Sequence, residues 1–233
     1  MSDKFQVIVA DPAWSFSDKL QQSDVKRGAA ANYSTMTIGN IKELPVKEIS
    51  DPTGAILALW VPSSLLQEGL DTMKAWGFKH KQTYIWVKNK KDPISLLRTH
   101  AVKFVKLALK LKSFSNKDYL DGLNAAFDMF NMNNLLAFGM GRLFRQTHEI
   151  CLIGTNNNGI YKLLKNKSQR SISFGENLKH SAKPEHLQDS LEIMFPGTKM
   201  IELFARRSRA GWTCIGNEVC NGEDIRDSLK KLL

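Results

Sequence analysis

Cysteine is scarce, with three residues in 233, at Cys151, Cys214 and Cys220, and no Cys-x-x-Cys pair. An odd, unpaired set excludes a disulfide framework and implies reduced thiols in a cytosolic protein. The five histidines are scattered and not at ligand spacing, so no metal site is expected. Apolar runs are short. None approaches the roughly 20 residues of a membrane span, and Met1-Ser2-Asp3-Lys4 does not open a signal peptide. Glycine-rich phosphate cradles are also missing. Neither Gly-x-Gly-x-x-Gly nor Gly-x-x-x-x-Gly-Lys occurs, which disfavours a nicotinamide or a nucleoside triphosphate as ligand. Acid is short relative to base, 23 Asp and Glu against 33 Lys and Arg, giving a net charge of +10. That balance favours a polyanionic partner, with nucleic acid ahead of a membrane because no lipid signal accompanies it.

What is present is a chain of 42% hydrophobic residues, enough for a real core. Its length suits one α/β domain better than two. Val7-Ile8-Val9-Ala10 reads as a short buried strand with Asp11 at its C-terminal end. A polar segment, roughly Ser15 to Ala31, follows as a loop, then Asn32-Tyr33-Ser34-Thr35-Met36 and a short helix with its lead-in over Ile38 to Ile49. Gly54 to Val61 is a second buried strand. Ser63 or Ser64 is a fair cap for a helix that runs to Trp76 and stops at Gly77. Lys81 to Lys88 returns as a strand. This alternation predicts a parallel sheet with helices on both faces.

The pattern breaks between residues 89 and 137, where lysine rises. Leu97 to Lys112 reads as a basic amphipathic helix with Thr99, Lys103, Lys106 and Lys110 on one face and Val102, Val105 and Leu109 on another. Its second half also alternates, which leaves a strand open there. Asn116 could cap a second helix over Lys117 to Phe130. This helical insertion is either a solvated structural pair or a nucleic-acid contact. The core is expected to resume at Gly139 to Arg145, followed by a strand over Ile150 to Ile153. Pro184 is expected at the first position of a helix over Glu185 to Met194. Strands over Met200 to Ala205 and Trp212 to Glu218 complete the core, and a surface helix ends the chain.

The strand-end stretch Asp11-Pro12-Ala13-Trp14 carries the chemistry. Ligands of open α/β sheets bind at the C-terminal strand edge. An exocyclic amine could give one N–H to the Asp11 carboxylate and the other to a carbonyl held by Pro12, with Trp14 as a flat face for a base. Two acceptors push density back onto a weakly nucleophilic amino nitrogen. A second pole lies in the last third. Glu202 and Glu218 are spaced close to the pattern in which an acid ends the strand after a cofactor loop and holds ribose hydroxyls. Phe204 could cover an adenine face, and Arg206 or Lys183 could pair with a carboxylate.

These stretches, with Leu59-Trp60-Val61, Trp76-Gly77-Phe78, Ile85-Trp86-Val87-Lys88, His148 to Gly154, Ser181 to Pro184, Ile201 to Arg206 and Gly216-Asn217-Glu218, resemble in order and spacing the MT-A70 family of adenine N6-methyltransferases. The resemblance runs from Val7 to about Val219. It implies a Rossmann-like methyltransferase sheet in permuted motif order, with the catalytic motif ahead of the cofactor motif. It also implies S-adenosyl-L-methionine as methyl donor. By resemblance Asp11, Pro12 and Trp14 hold the adenine, and Asp11, Lys183, Phe204, Arg206, Asn217 and Glu218 hold the cofactor; Glu202 joins the cofactor set on its spacing to Glu218. Lys103, Lys106, Lys110, Arg142 and Arg145 are expected at the nucleic acid. The family usually has a second proline where Ala13 stands. The expected activity is methylation of adenine N6 in nucleic acid, DNA before RNA, in the cytoplasm of a prokaryotic or phage-infected cell. The alternative is a non-catalytic partner subunit that keeps the fold, and a homodimer is compatible with either.

Overall fold

The computed structural model describes residues 4–15, 36–110, 115–118, 120–121, 124, 132–139, 143–177 and 182–233. The 16–35 segment with Tyr33, most of the second helix expected over 117–130, and Arg142 lie outside the described residues. Seven strands form one mixed sheet in the order β5-β3-β4-β2-β1-β6-β7. They are β1 (Val7–Ala10), β2 (Ile56–Val61), β3 (Lys79–Asn89), β4 (His148–Thr155), β5 (Ile172–Glu176), β6 (Met200–Leu203) and β7 (Trp212–Ile215). Helices α1 (Ile38–Lys42), α2 (Val46–Ile49), α3 (Leu66–Ala75), α4 (Pro93–Lys110), α5 (Ile160–Leu163), α6 (His186–Met194) and α7 (Ile225–Lys230) connect or flank them. Among the described residues no helix is long and apolar enough to cross a membrane.

The chain forms two compact units. The first comprises 1–85, 149–172 and 185–233, and the second 86–148 and 173–184. The expected insertion at 89–137 falls inside the second. In the first unit β1 pairs in parallel with β2 and with β6, and β6 in parallel with β7. Every residue of β1 and β2 is buried, which is why these strands read as unbroken apolar runs: a central parallel strand is covered on both faces. β4 departs from the parallel expectation by running antiparallel to β2, with Leu59 opposite Leu152. The fold remains the permuted Rossmann-like α/β sheet, since the Asp11 strand precedes β6 and β7 in the chain but lies beside them in the sheet.

Several local boundaries moved for identifiable reasons. Residues Ser63–Leu65 form a 3-10 turn, and neither it nor α3 has a side-chain cap, so Ser63 and Ser64 do not serve as one. Gly77 does end α3, at φ +82°, while Phe78 N–H donates to the Met73 carbonyl at 2.9 Å. Helix α4 starts four residues earlier than expected because Asp92 accepts the Ser95 N–H at 2.9 Å and Pro93 occupies the first helical position. It continues to Lys110, so the strand alternative for Leu107 to Lys112 does not hold up to that point. Ser115, not Asn116, makes the next cap: its hydroxyl accepts the Asp118 N–H at 3.2 Å and its own N–H goes back to the Asp118 carboxylate at 2.9 Å. Pro184 lies one residue before the Glu185 cap of α6 rather than inside the helix. The terminal helix is only partly a surface element, because Ile225 and Leu229 of α7 are buried in the main core.

Candidate active site

Register builds the site. Ala10 lies opposite Leu203, and Leu203 opposite Ile215. Asp11, Phe204 and Gly216 therefore leave adjacent parallel strands at the same C-terminal edge. The Asp11 N–H still donates to the Leu203 carbonyl at 3.4 Å, which ties the start of the turn to β6. Pro12 is buried beneath it. The Pro12 carbonyl accepts the Trp14 N–H at 2.8 Å, and the Ala13 carbonyl accepts the Met36 N–H at 3.1 Å. A carbonyl has a second lone pair, so the Pro12 oxygen can still accept from a ligand.

Trp14 corrects one expectation. It is 3% exposed, belongs to the main core, and its indole N–H donates to the Trp60 carbonyl at 2.9 Å. The ring packs into the core beside the turn and presents no open face in this structure.

On β6, Glu202 sits between Val9 and Cys214 across the sheet. Burial pushes its carboxyl above the usual glutamate range. A bond from Gln188 opposes the shift, the Asp11 charge adds to it, Arg207 opposes it and Glu185 adds to it. Gln188 is 4% exposed on α6, and its own Oε1 has no partner among the described residues. Burial likewise pushes the Cys214 thiol up.

Past β6 the backbone turns sharply. Phe204 takes φ +62°, a left-handed conformation that a bulky residue adopts only when its surroundings hold it there. The Ala205 N–H donates to the Ile215 carbonyl at 2.9 Å, and a Cβ on Gly216 would lie 2.5 Å from the Ala205 carbonyl oxygen. Only glycine permits this approach of the two strand ends. Arg206 pairs with Glu218 at 3.5 Å, both partly exposed, with Asn217 exposed beside them.

Sequence reasoning missed the device that fixes this loop. Arg209 is 14% exposed and bonds Glu192 at 2.7 Å, Glu185 at 2.6 Å and Asp189 at 2.6 Å, three acids on or capping α6. Trp212 Nε1 donates to the same Glu192 oxygen at 2.6 Å. Arg209 holds the Glu192 carboxyl below its usual value, and the acids push the guanidinium further up. Arg207 also pairs with Glu185. The signal was legible as an acidic stripe at positions 185, 189 and 192, one helix face apart, facing a run of three arginines.

Of the expected site residues, the first unit brings together Asp11, Pro12, Glu202, Phe204, Arg206, Asn217 and Glu218, with Trp14 in the core beside the turn. Lys183 belongs to the second unit and is half-buried. Of the expected nucleic-acid contacts, Lys103, Lys106 and Arg145 are exposed in the second unit. Lys110 ends α4. Among the described residues no three His, Cys, Asp or Glu side chains cluster to hold a metal ion.

This edge carries the Asp11 and Glu218 carboxylates, the Asn217 amide and Phe204, which packs partly buried against the core. Comparison with known proteins supplies the family. The MT-A70 family model matches residues 5–113 and 129–218. A probable N6-adenosine-methyltransferase MT-A70-like protein of Oryza sativa is 24% identical over 96% of this chain and 24% of its own length. The human N6-adenosine-methyltransferase catalytic subunit METTL3 is 23% identical over 93% of this chain and 28% of its own length. The type II methyltransferase M.MunI of a Mycoplasma species is 24% identical over 93% of this chain and 78% of its own length. The chain thus spans about a quarter of the length of the first two relatives. The matched residues cover both the Asp11 turn and the Phe204–Glu218 edge, and this chain belongs to the MT-A70 family.

Proposed function

We propose that this chain transfers a methyl group from S-adenosyl-L-methionine to the N6 amine of adenine in DNA. One observation carries the reading: the Asp11-Pro12 turn and the Phe204–Glu218 edge, about 200 residues apart in sequence, leave neighbouring parallel strands side by side. The first offers two acceptors for an amino group, and the second offers groups suited to an adenosyl ligand.

Asp11 and the Pro12 carbonyl each accept one N–H of the target amine, which directs its lone pair outward and raises its nucleophilicity. When bound, the cofactor supplies an electrophilic methyl on a sulfonium. Asp11, which accepts one N–H, would take the proton that the amine must lose once it carries the methyl and would pass it to water. Asn217 and Glu218 would hold the ribose hydroxyls, with Phe204 against the adenine ring and Arg206 keeping Glu218 in place. Most of the rate gain in such a site comes from alignment of the nitrogen with the methyl.

Ala13 in place of a second proline raises the reading of a non-catalytic subunit. The turn is pinned without that proline, by Trp14 on the Trp60 carbonyl and Met36 on the Ala13 carbonyl. Activity is therefore the better-supported reading. DNA is preferred to RNA because the type II methyltransferase is the relative whose length this chain most nearly spans among those compared.

The test is transfer of labelled methyl to unmethylated duplex DNA, denatured DNA and RNA, with nucleosides resolved by mass spectrometry. N6-methyladenine is expected in DNA. Asp11→Asn keeps the shape of the side chain but loses the charge, and should lower kcat by roughly a hundredfold or more. Wild-type-like turnover in that variant removes Asp11 from the mechanism, and cofactor-independent melting of the wild type would favour the non-catalytic subunit.

A further inference from the structure

The second unit holds an element that the proposed chemistry does not use. Gly139 and Gln146 exchange both backbone hydrogen bonds, at 2.8 and 3.2 Å, and form an antiparallel bridge. The flanking backbone is fixed as well. Ala137 N–H donates to the Lys88 carbonyl, and Lys88 N–H donates to the Thr147 carbonyl, both at 2.8 Å. One residue at the end of β3 thus grips the backbone on both sides of this bridge. Beyond the bridge Leu143 is 93% exposed and Phe144 86% exposed, the two highest values among the exposed large apolar residues described. The sequence placed core here; the structure places the most solvent-exposed apolar pair of the described chain.

Adjacent leucine and phenylalanine held out into water need an occupant. The surroundings indicate which. In sequence the pair is bracketed by Arg142 and Arg145. The Arg145 guanidinium lies 5.9 Å from the Phe138 ring centre beside the bridge. The second unit has 13 Lys and Arg against five Asp and Glu, and so carries eight of the ten net positive charges of the whole chain. An apolar pair between arginines on a strongly basic body suits a polyanion with an apolar interior. A nucleic-acid duplex has that character, with phosphates outside and stacked bases within.

We infer that Leu143 and Phe144 form a wedge that enters the base stack of duplex DNA and so helps to free a paired adenine. The inference rests on the proposed action on adenine and adds how a paired adenine becomes available. Chemistry on an exocyclic amine requires the base to leave the helix, at a cost of a few kcal/mol in lost stacking and pairing. Apolar side chains inserted between base steps are a known physical means of offsetting that cost, and the exposed Arg145 beside the pair can hold a phosphate. The wedge acts only where there is a stack to open, so it matters for duplex and not for single strands.

The experiment compares the wild type with the double variant Leu143→Ala, Phe144→Ala, using unmethylated genomic DNA fragments in native and heat-denatured form. Both side chains are exposed, so the variant is expected to melt at the wild-type temperature. Transfer to native duplex should fall by roughly tenfold or more, while transfer to denatured DNA stays at the wild-type rate. Equal loss on both forms, or no loss on duplex, overturns the wedge. So does sedimentation showing a wild-type oligomer that the variant dissociates, which would make the pair a protein contact. A wild type active on denatured DNA alone overturns the wedge but leaves the proposed reaction standing. A wild type inactive on both forms overturns the two together.

Discussion

Glu202 stands one residue before the end of β6, in contact with Gln188 and within the field of Asp11. Burial is the first cause of its raised pKa, so the folded state favours the protonated acid. The stabilising consequence is complete below the ordinary glutamate value, about 4.3. It is lost as pH rises through the higher folded value, because the buried charge must then be accommodated. Glu202→Gln keeps a polar partner for Gln188 and carries no charge. Its melting temperature should exceed that of the wild type at neutral pH, and the difference should vanish below about pH 4. A melting difference independent of pH would show that ionisation of Glu202 costs the fold nothing. At this scale the sequence was partly legible. Asp11 and Pro12 stand where the apolar run of β1 stops, whereas Glu202 lies within β6 and Glu218 follows β7 in the loop. The burial of Trp14 was not legible, since an aromatic after a turn packs above or below it depending on partners such as Trp60, 46 residues away.

The loop between β6 and β7 is an element held by charge. Arg209 spans Glu185, Asp189 and Glu192, and Trp212 shares the last of these. This network sets the path of the chain that carries Arg206 and leads to Glu218. Breaking a fully buried ion pair costs about 3–5 kcal/mol. The acids here are half-exposed, so Arg209→Gln should cost about 2 kcal/mol. The sign with pH follows from Glu192, whose pKa Arg209 lowers. That stabilisation is present above the ordinary carboxylate value and is lost as pH falls through the lower folded one. The gap in melting temperature between wild type and Arg209→Gln should therefore be largest near neutrality and shrink in acid. A gap that stays constant with pH would assign the loss to packing alone. Elements with strong local patterns, such as β1, β2 and α6, could be read from the chain. The antiparallel direction of β4 and the existence of β5 could not, because direction and edge pairing depend on partners distant in sequence. The amphipathic reading of α4 also met a limit. Val102 and Val105 are about half exposed, so its apolar face is not buried against the core in the usual way.

Charge is divided unequally over the whole molecule. The first unit is close to neutral, with 20 Lys and Arg against 18 Asp and Glu, while the second carries a net +8. Chemistry-bearing residues concentrate in the first and cationic surface in the second. A net charge read from the full sequence averages over this division, which is why the sequence suggested a polyanion without showing how much of the surface would meet it. If the second unit meets DNA through its phosphates, binding must release counterions, and log K must fall linearly with log salt. Lys103 and Lys106 are exposed on α4 and lie outside the proposed chemistry. Each phosphate contact contributes about 0.9 to the slope on duplex DNA. Replacing both lysines by glutamine should reduce the slope measured by fluorescence anisotropy by about 1.8. Melting temperature should be unchanged, and so should kcat at saturating DNA, since neither side chain touches the reacting atoms. A reduced affinity with an unchanged slope would mean that these lysines act through the fold and not through phosphate. An unchanged affinity and slope would move the DNA path off α4, toward the Leu143–Phe144 pair and Arg145.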